Sequence, residues 1–294
     1  MTPPEPGELA FHRRLAARLP HVGDDCAVLD DGQLLCTDLL VEGVHFRSTW
    51  AGPADVGFKA LAVNLSDIAA MGGTPEVAVA AVAVPPGRPG LADELLAGLL
   101  ECADRFDTEL VGGDTSRGPE LFVAVTVTGR APRPVLRSGA SPGDAVLVTG
   151  PLGGAAGALA ALEAGEVPRD PSSLHRPVPR LAEGDLAARL GATAMLDLSD
   201  GLGIDARRLA EASGVGIDLD PDRVPVADGA TLELAVDGGD DYELCFTAAD
   251  PEGVQRGFEQ AALRPPIVVG RVVDGDGARL GGRRLTGGWE HPVR

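Results

Sequence analysis

Carboxylates dominate the residues of this chain that could do chemistry. In LDLSDGLGID, Leu196 to Asp205, three aspartates (Asp197, Asp200 and Asp205) fall in a stretch without Lys. The concentration recurs in TDLLVEGVHF with Asp38, NLSDIAAMGG with Asp67, VGGDTSRG with Asp114 and GGDDYELCF with Asp240. Asp38, Asp114, Asp197 and Asp240 each stand at or just past the end of an apolar run, where α/β folds place ligands. A Gly pair precedes Asp114 and Asp240, and glycine lets a loop pass close to a ligand. One such carboxylate alone reads as a solvated turn or a helix cap. Several become a site only if the fold gathers them.

Asn64 and Asp67 lie three residues apart, on one helix face, beside the apolar Leu61, Leu65 and Ile68. A carboxylate on so buried a helix needs a cation or hydrogen bonds. Nearby stand only a few Arg and Lys59, the one lysine of the chain. A bound divalent metal is the economical partner. Oxygen-only ligands favour Mg²⁺ or another hard cation, and scattered Asp suggest several Mg²⁺ around a polyphosphate.

These residues need elements to position them. Glu8 to Leu19 reads as a short helix, Gln33 to Leu40 as a strand, and Ala54 to Met71 as a long helix stopped by Gly72-Gly73. Val77 to Val84 and Leu121 to Thr128 read as strands, with a helix over Leu91 to Arg105 between them. The Pro, Gly and Arg-rich APRPVLRSGAS (Ala131 to Ser141) marks a boundary, giving domains 1–136 and 137–294. Beyond it follow a strand at Ala145 to Thr149, an Ala-rich helix to Ala164, a strand at Ala194 to Leu198 and a helix at Gly201 to Ser213. Tyr242 to Thr247 and Ile267 to Val273 read as further strands. Alternating strands and helices predict an α/β or α+β class. Ser66-Asp67 then Gly112-Gly113-Asp114 is echoed by Ser199-Asp200 then Gly238-Gly239-Asp240. The intervening text is not alike, so an internal repeat competes with chance.

The chain has 294 residues and a net charge of −19. That excess argues against nucleic acid or an anionic membrane as partner, since both demand Lys and Arg. A metal can still supply positive charge locally for a polyanionic substrate. Four cysteines without C-x-x-C predict reduced thiols and a cytoplasmic protein. No apolar stretch follows the N-terminal charges, so no signal peptide is read. The P-loop motif is absent, and the lone lysine sits in GFKALA. GPLGGAAG (Gly150 to Gly157) is not G-x-G-x-x-G. It could offer backbone N–H groups to an anion, but tight strand–helix packing is the plainer reading. DLDPD (Asp218 to Asp222) imitates an EF-hand start but lacks its Gly and Glu.

Taken in order, GDDCAVL, TDLLVEGVHF, NLSDIAAMGG, VGGDTSRG, LRSGASPGD, LDLSDGL and GGDDYELCF resemble the thiamine-monophosphate kinases, members of the PurM-like superfamily of aminoimidazole ribonucleotide synthetase. The resemblance runs from about Gly23 to Trp289. It implies an enzyme that phosphorylates thiamine monophosphate to thiamine diphosphate with ATP and Mg²⁺, the last step in making that coenzyme. It implies a two-domain PurM-like α/β (α+β) chain and a homodimer whose N-terminal sheets pair into a β-barrel. By motif, Asp24, Thr37, Asp38, Asp67, Asp114, Asp197 and Asp200 would hold Mg²⁺, with Asp67 and Asp200 central to turnover. Gly113, Asp114, Arg137 and Ser199 would contact ATP. His45, Asp240 and Trp289 would face thiamine monophosphate.

Two departures fall on the substrate side: Asp240 stands where the family commonly has Glu, and Pro292 where an aromatic is common. The chief rivals are a sister ATP-using enzyme with another acceptor and a non-catalytic relative that binds metal or ATP. Selenophosphate synthetases call for a reactive Cys with a partner Lys, and the hydrogenase maturation relative ends in a Cys, whereas this chain ends HPVR.

Overall fold

Two sheets, one in each half of the chain, carry the residues singled out above. In the computed structural model, which describes residues 8–287, the first half runs α1 (Glu8–Ala16), β1 (Ala27–Val28), β2 (Gln33–Val41), α2 (Pro53–Ala70), β3 (Thr74–Val84), α3 (Leu91–Arg105), β4 (Glu109–Arg117) and β5 (Phe122–Arg130). Its strand order is β1-β2-β5-β3-β4, antiparallel except where β3 meets β4. The second half runs β6 (Ala145–Val148), α4 (Gly154–Glu163), α5 (Ser172–His175), α6 (Leu181–Arg189), β7 (Ala194–Asp197), α7 (Leu202–Ser213), β8 (Gly216–Leu219), α8 (Leu232–Asp237), β9 (Leu244–Ala248), α9 (Pro251–Gln260), β10 (Ile267–Val273), β11 (Gly277–Leu280) and β12 (Arg283–Arg284). Its sheet has the order β12-β11-β8-β10-β6-β9-β7.

The mixed α/β class agrees with the alternation in the sequence. The β-barrel does not. Each sheet is open: β1 and β4 are the edges of one, β12 and β7 of the other. Closure requires the first and last strands to bond to each other, and among the described residues these edges do not. The barrel expected from the resemblance is therefore corrected to two open sheets.

Helix α2 is the element that matters most for the site. Pro53 opens it at a position where its missing N–H costs nothing, and the Asp55 carboxylate accepts the Gly52 N–H at 3.3 Å. Fourteen of its eighteen residues are buried, so it is apolar almost all round, as a helix inside a core must be. Gly57 and Gly98 let α2 and α3 touch through their backbones. A Cβ at either would overlap a carbonyl oxygen of the other helix, that of Leu95 or of Ala54. Leu61, Leu65 and Ile68 join the first core, with Val123, Val125 and Val127 of β5. One turn on, Ala69 and Ala70 join a different cluster, with Leu147, Phe246 and Phe258 of the second half. One helix thus belongs to both cores.

Five strands, β1, β4, β8, β11 and β12, were not read from the sequence, and β4 bears on the expected site. VGGDTSRG reads as a loop, yet Gly112 to Arg117 pairs in parallel with Val79 to Val84. Gly113 marks close packing here: a Cβ on it would overlap the Ala80 carbonyl. Asp38 likewise lies within β2, three residues before its end, and pairs with Val125.

Candidate active site

Where the two halves meet, α2, β2, β7, the turn before α7 and the loop after α8 enclose a cavity of about 1350 Å³. A pocket for one small molecule is typically about 300–1,000 Å³, so two substrates can lie here together. At its floor the carboxylates of Asp25, Asp67 and Asp197 converge, with one oxygen of each within 4.8 Å of the others. Each arrives from a different element: the turn before β1, the C-terminal half of α2, and the end of β7. Ser66 Oγ donates to Asp197 Oδ2 at 2.5 Å and ties α2 to β7 across the domain junction.

Carboxylates this close repel one another unless a counter-charge lies between them. Burial pushes Asp197 well above the usual carboxylate range, with Asp25 adding repulsion. Burial, then Asp38, does the same at Asp67. Asp197 is only 4% exposed. Asp38 is pushed to about 6 by surrounding protein and then by Asp200, a weaker effect because cavity water reaches its side chain. A set of oxygen donors short of positive charge is what a hard divalent cation fits.

The cationic side chains of the cavity wall are largely committed. Arg137 holds Asp25 with two nitrogens, at 2.6 and 3.4 Å. Arg208 bridges Asp200 at 2.5 Å and Asp205 at 2.7 Å, and Asp205 also accepts the Asp200 N–H. Asp205 thereby fixes the SDG turn. Lys59 Nζ meets Asp240 Oδ2 at 2.9 Å, and Tyr242 donates its hydroxyl to Asp240 Oδ1 at 2.8 Å. Asp240 and Tyr242 both have left-handed backbones, φ +68° and +51°. That geometry is uncommon for residues with a Cβ and is held here by flanking anchors. Asp241 accepts the Gly153 N–H at 2.7 Å at the start of α4. Glu243 takes Arg180 and Thr149.

Among the expected site residues, Asp24, Thr37, Asp38, His45, Asp67, Arg137, Asp197, Ser199, Asp200 and Asp240 all line this cavity. His45 Nδ1 accepts the Val41 N–H at 3.0 Å, which places the proton of its neutral form on Nε2. Gly113 and Asp114 do not line it; they lie on the exposed edge strand β4. Trp289 and Pro292 fall outside the described residues. Asp24 and Asp25 divide their tasks: Asp24 accepts the Arg137 backbone N–H at 2.7 Å, while Asp25 reaches the acidic cluster. GDDCAVL showed an adjacent acid pair, but only the turn's geometry separates the two. Asn64, on the same helix, turns back to donate to the Ala60 carbonyl at 2.9 Å and does not line the cavity.

Comparison with known proteins decides the family. Residues 23–131 match the N-terminal domain, and residues 141–282 the C-terminal domain, of AIR synthase related protein. Thiamine-monophosphate kinase of Rhodopirellula baltica is 37% identical over 90% of this chain and 88% of its own length. That of Halobacterium salinarum is 40% identical over 92% and 94%. The chain belongs to the thiamine-monophosphate kinase family. Among solved structures, AaThiL complexed with AMPPCP and TMP superposes with TM-score 0.89 at 31% identity, covering 97% of both chains. Thiamine-monophosphate kinase from Stenotrophomonas maltophilia gives 0.80 at 34%, covering 93% and 95%. Escherichia coli HypE, a hydrogenase maturation protein, at 18% identity and TM-score 0.71, shares the fold alone. Kinases of this family must bring two phosphate-bearing substrates together, and a large, acid-floored cavity between domains is suited to that.

Proposed function

We propose that this chain transfers the γ-phosphoryl group of ATP to thiamine monophosphate, giving thiamine diphosphate and ADP. The convergence of Asp25, Asp67 and Asp197 in one interdomain cavity, in a member of this kinase family, carries the reading. Asp25, Asp67 and Asp197 would hold Mg²⁺, with Asp38, Thr37 and Asp200 on the surrounding wall. Mg²⁺ bound there supplies charge neutralisation to phosphate oxygens that would otherwise repel the acids and each other.

The chain's own residues position the reactants. Arg137, fixed by Asp25, and Ser199 face the nucleotide, and His45 and Asp240 face the acceptor. Gly113 and Asp114 are retained for ATP on the family resemblance. An oxygen of the acceptor phosphate attacks the γ-phosphorus in line. The new P–O bond forms as the bond to ADP breaks, and no residue is phosphorylated. Near neutral pH the acceptor phosphate is already largely ionised, so no strong general base is required. Positioning and charge compensation carry the rate.

The working form is a homodimer in the cytoplasm. The four cysteines, all unpaired and buried, suit a reducing compartment, and no described helix is long and apolar enough to cross a membrane.

The test is product formation by the purified protein with ATP, thiamine monophosphate and Mg²⁺. One thiamine diphosphate per ADP is expected, lost with EDTA and absent with free thiamine. ADP release without thiamine diphosphate would overturn the assigned acceptor.

A further inference from the structure

Lys59 has no role in the reaction so far, yet it is the chain's only lysine and is 3% exposed in the cavity wall. Burying an ammonium is costly unless it is paired. Asp240 supplies that pair across the domain junction at 2.9 Å. An ammonium has three hydrogens. Among the described residues Asp240 is its one hydrogen-bond acceptor, so two hydrogens remain for a ligand.

Its position along α2 is informative. Lys59, Val63 and Asp67 follow at i, i+4 and i+8, and all three line the cavity. At 1.5 Å per residue, Lys59 stands ~12 Å along the axis from Asp67. One helix face therefore runs from the acidic floor to a cation. The far end presents an ordered ion pair, with Lys59 nearly enclosed and the Asp240 side chain 34% exposed. Tyr242 fixes the Asp240 carboxylate from behind.

Resting on the acceptor assigned above, we infer that Lys59 and Asp240 together read the charge order of thiamine monophosphate. That molecule carries a phosphate anion and a thiazolium cation joined by a two-carbon link. The ion pair in the wall has the opposite sense. The Lys59 ammonium donates to the acceptor phosphate, and the Asp240 carboxylate faces the thiazolium. Reversing the ligand would set like charges together at both ends. Lys59 is thus a specificity-determining residue that favours the phosphorylated acceptor over free thiamine, which offers the cation without the anion.

The experiment begins with thiamine diphosphate formation by the wild type. Its absence removes the acceptor and this assignment with it. With turnover established, equilibrium binding of thiamine monophosphate and of thiamine, each with Mg²⁺, is compared in wild type, Lys59→Met, Lys59→Arg and Asp240→Asn. Lys59→Met should weaken thiamine monophosphate at least ~10-fold, as expected for a lost charge-assisted hydrogen bond, and leave thiamine unchanged or tighter. Lys59→Arg should recover much of the loss. Asp240→Asn should weaken both ligands. Equal loss of both ligands in Lys59→Met would reduce Lys59 to a positioning residue for Asp240, and no loss would remove it from the site. A second measurement needs no variant. With one lysine, amine acetylation at Lys59 is read on a single peptide, and thiamine monophosphate should slow it where thiamine does not. Equal protection by both, or by neither, overturns the assignment.

Discussion

The two Gly-Gly-Asp segments share their wording and differ in almost everything else. Gly112-Gly113-Asp114 is part of the edge strand β4, exposed and outside the cavity. Gly238-Gly239-Asp240 leaves the end of α8 as a loop and puts Asp240 against Lys59 and Tyr242. In the first pair, Gly113 lets β4 lie against β3, where a Cβ would overlap the Ala80 carbonyl. The second lets the loop pass over the SDG turn, where a Cβ on Gly239 would crowd the Ser199 carbonyl. A short motif thus names a backbone requirement, and the neighbours decide whether the following Asp faces a ligand. Asp24 and Asp25 make the same point at a separation of one residue.

Predictions can be ranked by how hard they press on these contrasts. The largest effect belongs to the acidic floor. Asp25→Asn, Asp67→Asn and Asp197→Asn should each lower kcat ~10³-fold, in the range seen when transition-state charge stabilisation is lost, with circular dichroism unchanged. Asp24→Asn should cost no more than ~10-fold, the scale of one hydrogen bond. Comparable losses in Asp24→Asn and Asp25→Asn would erase the division between them.

Next come the two Gly-Gly-Asp segments. Asp240→Asn should raise KM for thiamine monophosphate ~10-fold with KM for ATP unmoved, as expected for one charged contact. Asp114→Asn should do the reverse and raise KM for ATP. If it moves neither constant, Asp114 leaves the nucleotide site and only the second segment is functional.

The smallest effect is on stability against pH. In the metal-free protein Asp38 is raised to about 6 and Asp241 to about 7, the latter mainly by burial. The folded chain then holds protons that the unfolded chain has already released above its ordinary carboxylate pKa. The stability these two groups contribute therefore falls as pH rises from about 4 through about 7. Mg²⁺ binds the ionised form, so its stabilising shift in Tm should be larger at pH 8 than at pH 5.5. An equal shift at both values would mean that the floor carboxylates are not its ligands.

Much of this arrangement was legible in the residues. Asp67, Asp197 and Asp200 stood out because acids beside apolar runs demand compensation, and the cavity gathers all three. The bounds of α3 and β10 followed from their apolar patterns, Leu91 to Arg105 and Ile267 to Val273. β4 was missed because two glycines mask strand propensity and its parallel partner lies about 30 residues away in the chain. Asp24 and not Asp25 was named from the sequence, because adjacent acids cannot be told apart without the turn that aims them. Lys59 was visible only as a count; its value lies in a partner 181 residues away. The barrel was expected from resemblance alone, and no local pattern in the strands could have tested it.

Helix α2 has one further consequence. Its middle turns hold the first core together, its last turn packs among Leu147, Phe246 and Phe258, and Ser66 fastens it to Asp197. Neither half can lose its structure without stripping a face from the same helix. The two sheets should therefore melt as one thermodynamic unit, with a single heat-absorption peak and a van't Hoff enthalpy matching the calorimetric one. A cut between residues 131 and 144 should yield fragments that regain structure only when mixed.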